Sequence, residues 1–283
     1  MDKNAGGNCS KIKMIIMKAK VFDLDGKHAG DIELPDLFST PYRPDVIKRA
    51  VLAQQSAGRQ PYGSDTLAGL RSSAHYHGSR HYRYAMMNKE MSRIPRIHGK
   101  VGYMAWRARV APHAVKGRRA HPPKVAKVWL QKVNKKEKTL AIKSALAATV
   151  DNTLLASRGH SMESPIIFVD DFETMKTTKN VVELFSKILS KEMERTEKRK
   201  IMAGVGKMRA RRYRVKKGPL IILAKNCPAL KATRNIRGFD AVSVANVNAE
   251  LLAPGTHAGR LIITTKAALH ALEKKFGGQQ EIA

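Results

Sequence analysis

Apolar positions mark the two ends of this chain and desert its middle. Ala19–Leu24 and Ala29–Leu34 are short strand-like runs on either side of Asp25–Gly26, a tight-turn pair, and predict a hairpin. A helix is predicted from Pro44 to Ala57. Pro44 suits a first turn, Asp45 complements the dipole, and Val46, Ile47, Ala50 and Val51 fall on one stripe. Gly58 is placed to end it. Both periodicities then vanish, apart from an ambiguous run near Val125–Val133. From Lys138 the pattern returns. Ile142, Ala145, Leu146, Thr149 and Val150 predict one helix over 138–157, and PIIFVD at 165–170 reads as a strand buried on both faces. Val181, Val182, Phe185, Ile188 and Leu189 predict a helix over 178–190. The runs PLIILA (219–224), AVSVA (241–245) and RLIITT (260–265) then alternate with short helices near 228–236 and 248–252. A last helix is expected over Lys266–Phe276, with Thr265 as cap and Gly277 as terminator.

Buried strands alternating with helices imply an α/β fold, a mostly parallel sheet with helices on both faces. Into it, after the first helix, is inserted a long basic extended loop. The expected division is a flexible extension at 1–17, a globular body from 18–57 and 128–283, and the loop at 58–127. Met14 and Met17 are candidates for an alternative start. A structureless stretch of such length inside a compact domain needs a reason, and its composition supplies one.

Between Gly58 and Lys136 stand 18 Lys or Arg and two acids, Asp65 and Glu90, a net +16 in a chain whose total is +30. The same stretch holds seven Gly, five Pro, six His, five Tyr and both Trp, and no run apolar enough for a core. By itself it cannot offset its ordering entropy, so order has to come from a large, negative, base-bearing partner. Arg59, Arg71, Arg80, Arg83, Arg93, Arg96, Lys100, Arg107, Arg109, Lys116, Arg118, Arg119 and Lys124 are spread out rather than blocked together, with Lys127 beside them. Arg predominates, which favours forked phosphate contacts and stacking over simple neutralisation. Tyr62, Tyr76, Tyr82, Tyr84, Tyr103 and Trp106 are interleaved with these cations and suit unstacked bases, which folded RNA displays and duplex DNA hides. A smaller copy of the recipe lies at 207–218, where Arg209, Arg211, Arg212 and Arg214 surround Tyr213.

Catalytic signals are weak. Gly204–Lys207 evokes a phosphate loop but has Ile201 where Gly belongs, Met208 where Ser or Thr belongs, and no preceding strand. Asp170 and Asp171 at a strand end read as caps or loop anchors. His75, His77 and His81 have tolerable metal spacing but no nearby Cys or acid, and read as RNA contacts. Gly159–Ser161 lacks a hydrolase elbow, and no G-x-G-x-x-G follows a strand. No catalytic residue, metal or cofactor is expected. The lone Cys9 and Cys227 imply neither disulfide framework nor zinc site and suit a reducing cytosol. No run of about 18 apolar residues suggests a membrane span.

Several motifs in order are specific: SAGRQPYG (56–63), SRIPRIHG (92–99), KGRRAHPPK (116–124), QKVNKKEKTLAIKSALAAT (131–149), YRVKKGPLIILA (213–224) and the long run at 234–269. Together they resemble the large-subunit ribosomal protein four family, the universal L-four family, in its archaeal/eukaryotic form, over about Met17 to Phe276. The resemblance implies an α/β body on the outer face of the large subunit and a loop that penetrates rRNA to line the peptide exit tunnel, its tip around Met91–Arg109. It implies large-subunit rRNA, neighbouring large-subunit proteins and the passing nascent polypeptide as partners, with cytoplasmic, ribosome-bound location. The tip sequence HGKVGYMAWRARVAPH (98–113) is bulkier than the family's Gly/Thr-rich run. The chain ends soon after the last helix, which points to the archaeal type. Two other readings differ in class: an RNA-modifying α/β enzyme that holds RNA with the loop, to be tested by turnover, and a DNA-binding protein, to be tested by competing duplex DNA against folded rRNA at matched salt.

Overall fold

The computed structural model describes residues 17–82, 85–98 and 102–277, which divide into two compact units. One runs to Ala57 and resumes at Gln131; Gly58–Leu130 is the second. The extension at 1–16 lies outside the described residues.

The first unit opens with β1 (Lys18–Phe22) and β2 (His28–Glu33), an antiparallel hairpin. Its turn is closed by the Asp23 N–H on the Lys27 carbonyl, with Gly26 at φ +82°, a conformation glycine adopts without Cβ strain. Helix α1 (Pro44–Ala57) has the predicted bounds and buries Val46, Ile47, Ala50, Val51 and Ala53. The single helix expected over 138–157 is two, α2 (Lys135–Ala147) and α3 (Asn152–Ser157). The break has a local cause: the Asp151 carboxylate accepts the Thr153 N–H and starts a new helix there. Strand β3 (Ile166–Phe168) follows, then α4 (Thr178–Ile188) and α5 (Ser190–Glu197), the latter in a stretch whose sequence reads only as polar. The hairpin of β4 (Arg199–Ile201) and β5 (Tyr213–Val215) is equally invisible in the pattern, because all three β4 residues are exposed. Then come β6 (Leu220–Leu223), α6 (Pro228–Arg234), β7 (Asp240–Ser243), α7 (Ala249–Leu252), β8 (Ile262–Thr265) and α8 (Lys266–Phe276).

Six strands make one sheet in the order β2-β1-β3-β8-β6-β7, parallel throughout except for the opening hairpin. Period-2 alternation sends its side chains into two cores. Ile167, Leu220, Ile222 and Ile262 face α1, α2, α7 and α8, while Ile166, Phe168, Ile221, Leu223 and Ile263 face α4 and α6. That two-sided burial explains why these strands read as unbroken apolar runs. Of the two strand-end acids, Asp170 is an anchor, its carboxylate accepting the Ala267 N–H at the start of α8; Glu173, three residues on, accepts from the Ala224 N–H and the Thr265 hydroxyl. No helix among the described residues is long and apolar enough to cross a membrane.

In the second unit, regular structure among the described residues is confined to one 3-10 turn, Gly102–Met104, and to bridges His75–Arg96 and Arg96–Ala108. The ambiguous run near Val125–Val133 forms neither helix nor strand, and Val125 and Val128 are exposed.

Candidate nucleic-acid interface

Backbone hydrogen bonds substitute for a core in the second unit. Reciprocal bonds join His75 to Arg96, the Ile97 N–H donates to the Arg107 carbonyl, and Arg109 donates to Pro95, so three irregular segments lie side by side. A bond from the Ser64 N–H to the Pro123 carbonyl, 3.0 Å, ties the two ends of the unit together. The sequence offers no core here, yet the structure buries Ala85, Met86 and, against expectation, Arg109. Gly69 shows how tight the chain lies: its φ is +76°, and a Cβ there would stand 2.6 Å from the Arg118 nitrogen.

The cations sort into two kinds. Arg96 and Arg109 turn inward and serve as struts. The Arg96 guanidinium donates to the Ser92 carbonyl and hydroxyl and to the Trp106 carbonyl, while Arg109 donates to the Ala108 and Val115 carbonyls. Guanidinium groups with several donors can replace apolar packing in this way. Among the described residues, Arg59, Arg71, Arg80, Arg93, Arg107, Lys116, Arg118, Arg119 and Lys124 are all exposed, and Lys127 with them. In this unit Arg71 is the only one of the described cations with a carboxylate partner, Asp65. Arg83, Tyr84 and Lys100 lie outside the described residues.

The aromatics divide similarly. Tyr103 is 72 % exposed and has the Arg107 guanidinium 5.9 Å from its ring centre. Tyr62 is exposed beside Trp129, ring centres 5.7 Å apart, and Arg59 and Lys127 approach the same indole at 5.3 and 4.4 Å. Trp129 thus centres an aromatic–cation cluster that the sequence pattern did not single out, although its flanking lysines were the available signal. Tyr76 is exposed; Tyr82 is exposed too while stacking on His77 at 4.0 Å. Trp106 is half-buried with Lys89 4.1 Å above its ring. A ring engaged by a cation on one face can still offer its other face to a base.

In the first unit, the β4–β5 hairpin presents Arg209, Arg211, Arg212 and Arg214, all exposed, and the Arg199 and Arg212 guanidiniums lie 5.5 and 5.7 Å from the centre of the Tyr213 ring. Gly204–Lys207 belongs to the turn of this hairpin; against the sequence reading a strand does precede it, but all three residues of β4 are exposed, and Ile201 and Met208 still stand where a phosphate loop needs Gly and Ser or Thr. Of the histidines noted for their spacing, His75 and His77 come together, but their companion is His98 rather than His81. Burial, then the neighbouring His75 and His98, lowers the pKa of His77 and favours its neutral ring.

The arrangement is a set of exposed cations, of which Arg71 alone among the described ones has a carboxylate partner, and of aromatic rings on a hydrogen-bonded backbone, groups of the kind that suit phosphates and bases. The family model of the ribosomal protein L4/L1 family matches residues 32–275. Three archaeal relatives carry the name large ribosomal subunit protein uL4. That of Methanosphaera stadtmanae is 43 % identical, covering 92 % of this chain and 97 % of its own. The Archaeoglobus fulgidus protein is 46 % identical over 90 % and 98 %, and the Nanoarchaeum equitans protein 44 % over 92 % and 98 %. With a family match running through both structural units and relatives aligned over nearly their whole length, the chain belongs to the ribosomal protein L4/L1 family.

Proposed function

We propose that this chain is a structural constituent of the large ribosomal subunit, cytoplasmic and ribosome-bound, with no catalytic role. It binds large-subunit rRNA, aids its assembly and packs beside neighbouring large-subunit proteins. Residues 58–127 reach the peptide exit tunnel, line part of it and so meet the nascent polypeptide. The observation that carries this reading is the set of exposed cations in the second unit, where one carboxylate pair accounts for Arg71 and no acid among the described residues pairs with the rest. Each such cation placed on a phosphate releases condensed counterions, so binding is driven electrostatically and weakens with salt. Arg107 with Tyr103, and Arg59 with Tyr62 and Trp129, combine a phosphate ligand with a stacking surface.

The test is reconstitution. Full-length chain is mixed with large-subunit rRNA and proteins, and particles are washed at high salt before sedimentation. The chain is expected to stay with the large subunit, because buried loops resist a wash that strips peripheral basic proteins. A variant lacking 62–122 is expected to leave a folded body that assembles poorly. Release of the intact chain by the wash, or normal assembly with an unaltered tunnel wall by the deletion variant, would defeat the proposal.

A further inference from the structure

Three of the six histidines in the second unit form a cluster. His75, His77 and His98 each offer one ring nitrogen, and those atoms lie within 4.8 Å of one another. The backbone builds this arrangement: the reciprocal His75–Arg96 hydrogen bonds carry His98 back beside His75, and the Met86 N–H holds the His77 carbonyl at 3.1 Å. His75 Nδ1 is 3.0 Å from the Ser73 carbonyl. A carbonyl only accepts, so Nδ1 carries the proton and Nε2 keeps the ring's lone pair, the orientation by which outer-shell carbonyls prepare a metal ligand. His77 Nε2 is sealed from solvent with no hydrogen-bond partner.

We propose that His75, His77 and His98 bind a divalent transition ion of the zinc class. Three imidazole nitrogens suit that class rather than magnesium or calcium, which take oxygen donors. Zinc–nitrogen bonds of roughly 2.0–2.1 Å in a tetrahedral shell set ligand atoms about 3.4 Å apart, so the rings close by at most about 1.4 Å, with water in the fourth position. The ion would staple residues 75–98, a stretch whose described residues form no helix or strand and bury little apolar surface. Its cationic surroundings oppose a doubly charged ion, which makes the site weaker than a thiolate site and places its role in the structure of this unit.

The experiment uses the full chain with zinc chloride alone, followed by calorimetry, and cobalt chloride alone, followed by its visible absorption. One ion per chain is expected, with tetrahedral cobalt bands. His77→Gln and His98→Gln are expected to lose more than the roughly 10–100-fold in affinity that removal of a mere orienting partner costs. His81→Gln should bind as the parent does. Zinc should also slow amide exchange between residues 75 and 109, a readout independent of whether a variant folds. Failure of zinc to bind saturably or to slow that exchange overturns the proposal, and so does undiminished binding by His77→Gln.

Discussion

Arg260 is wholly buried, a position almost never given to an arginine without partners. Its guanidinium donates to the carbonyls of Gly218, Pro219 and Leu251 and to the Asp240 carboxylate, the last at 2.6 Å. Those acceptors flank β6, β7 and α7, so one side chain ties the edge of the sheet to its covering helix. Replacing it with Met leaves the carbonyls and part of Asp240 unsatisfied, and should lower stability by about 3–5 kcal/mol in denaturant unfolding of the full chain. Strain at single residues marks the second unit instead. Asn88, Trp106, Val110 and Lys116 all have φ near +60 to +68° without being glycine, four of six such residues among those described. The surrounding hydrogen bonds enforce these conformations. Gly69→Ala adds a further left-handed side chain, at a cost of about 1–2 kcal/mol before its Cβ meets Arg118. The expected result is faster amide exchange across 58–130 with the exchange of β3, β6 and β8 unchanged.

Element boundaries follow caps more closely than hydrophobic periodicity. The Thr265 hydroxyl accepts the Ala268 N–H to start α8 where the sequence places it. Thr265→Ala should cost about 1 kcal/mol, read from the unfolding midpoint, since it removes this cap and the hydrogen bond to Glu173. The same chemistry at Asp151 divides what the apolar pattern reads as one helix. A Thr or Asp inside a helical stripe is ambiguous until tertiary packing decides which way the chain leaves. The β4–β5 hairpin is legible only as a charge run, because its side chains face solvent and leave no alternation. Its function is testable as an element. Converting Arg209, Arg211, Arg212 and Arg214 to Ala should reduce rRNA affinity and flatten its salt dependence, by up to about 0.7–0.9 in log–log slope for each phosphate no longer engaged. An unchanged slope would mean that the hairpin touches no phosphate.

At the scale of the whole molecule, charge and pH act on different parts. His160 and Glu192 are buried in the first unit with 3.1 Å between Nδ1 and Oε2, and Arg195 lies 3.2 Å from the same carboxylate. Burial, with the charges of Arg195 and Arg158, lowers the His160 pKa below 6.5 against the pull of Glu192. Burial alone would raise Glu192, but His160, Arg195 and the Ser161 N–H outweigh it and hold the carboxyl below 4.5. Both groups therefore take up protons more readily when unfolded, so the unfolded state gains protons as pH falls. Stability should be full above about pH 6.5 and decline below it, first through His160 and then through Glu192. Thermal unfolding between pH 4 and 8 reads this, and His160→Gln should remove the upper part of the decline.

The amino-acid pattern by itself determined the α/β class, the parallel strands, the bounds of α1 and α8 and the segregation of charge into 58–136. Each of these rests on short-range signals: period, caps and net charge. It also marked the cationic and aromatic residues as a class. Only the tertiary structure decided which of them remain outward. Arg96 and Arg109 become struts and Trp106 turns in, because a unit with few apolar residues satisfies its own carbonyls with whatever donors lie near. The same long-range pairing set His98, rather than His81, beside His75 and His77. Spacing along a chain without helix or strand carries no periodicity, so contacts made by returning backbone leave no trace in the order of residues.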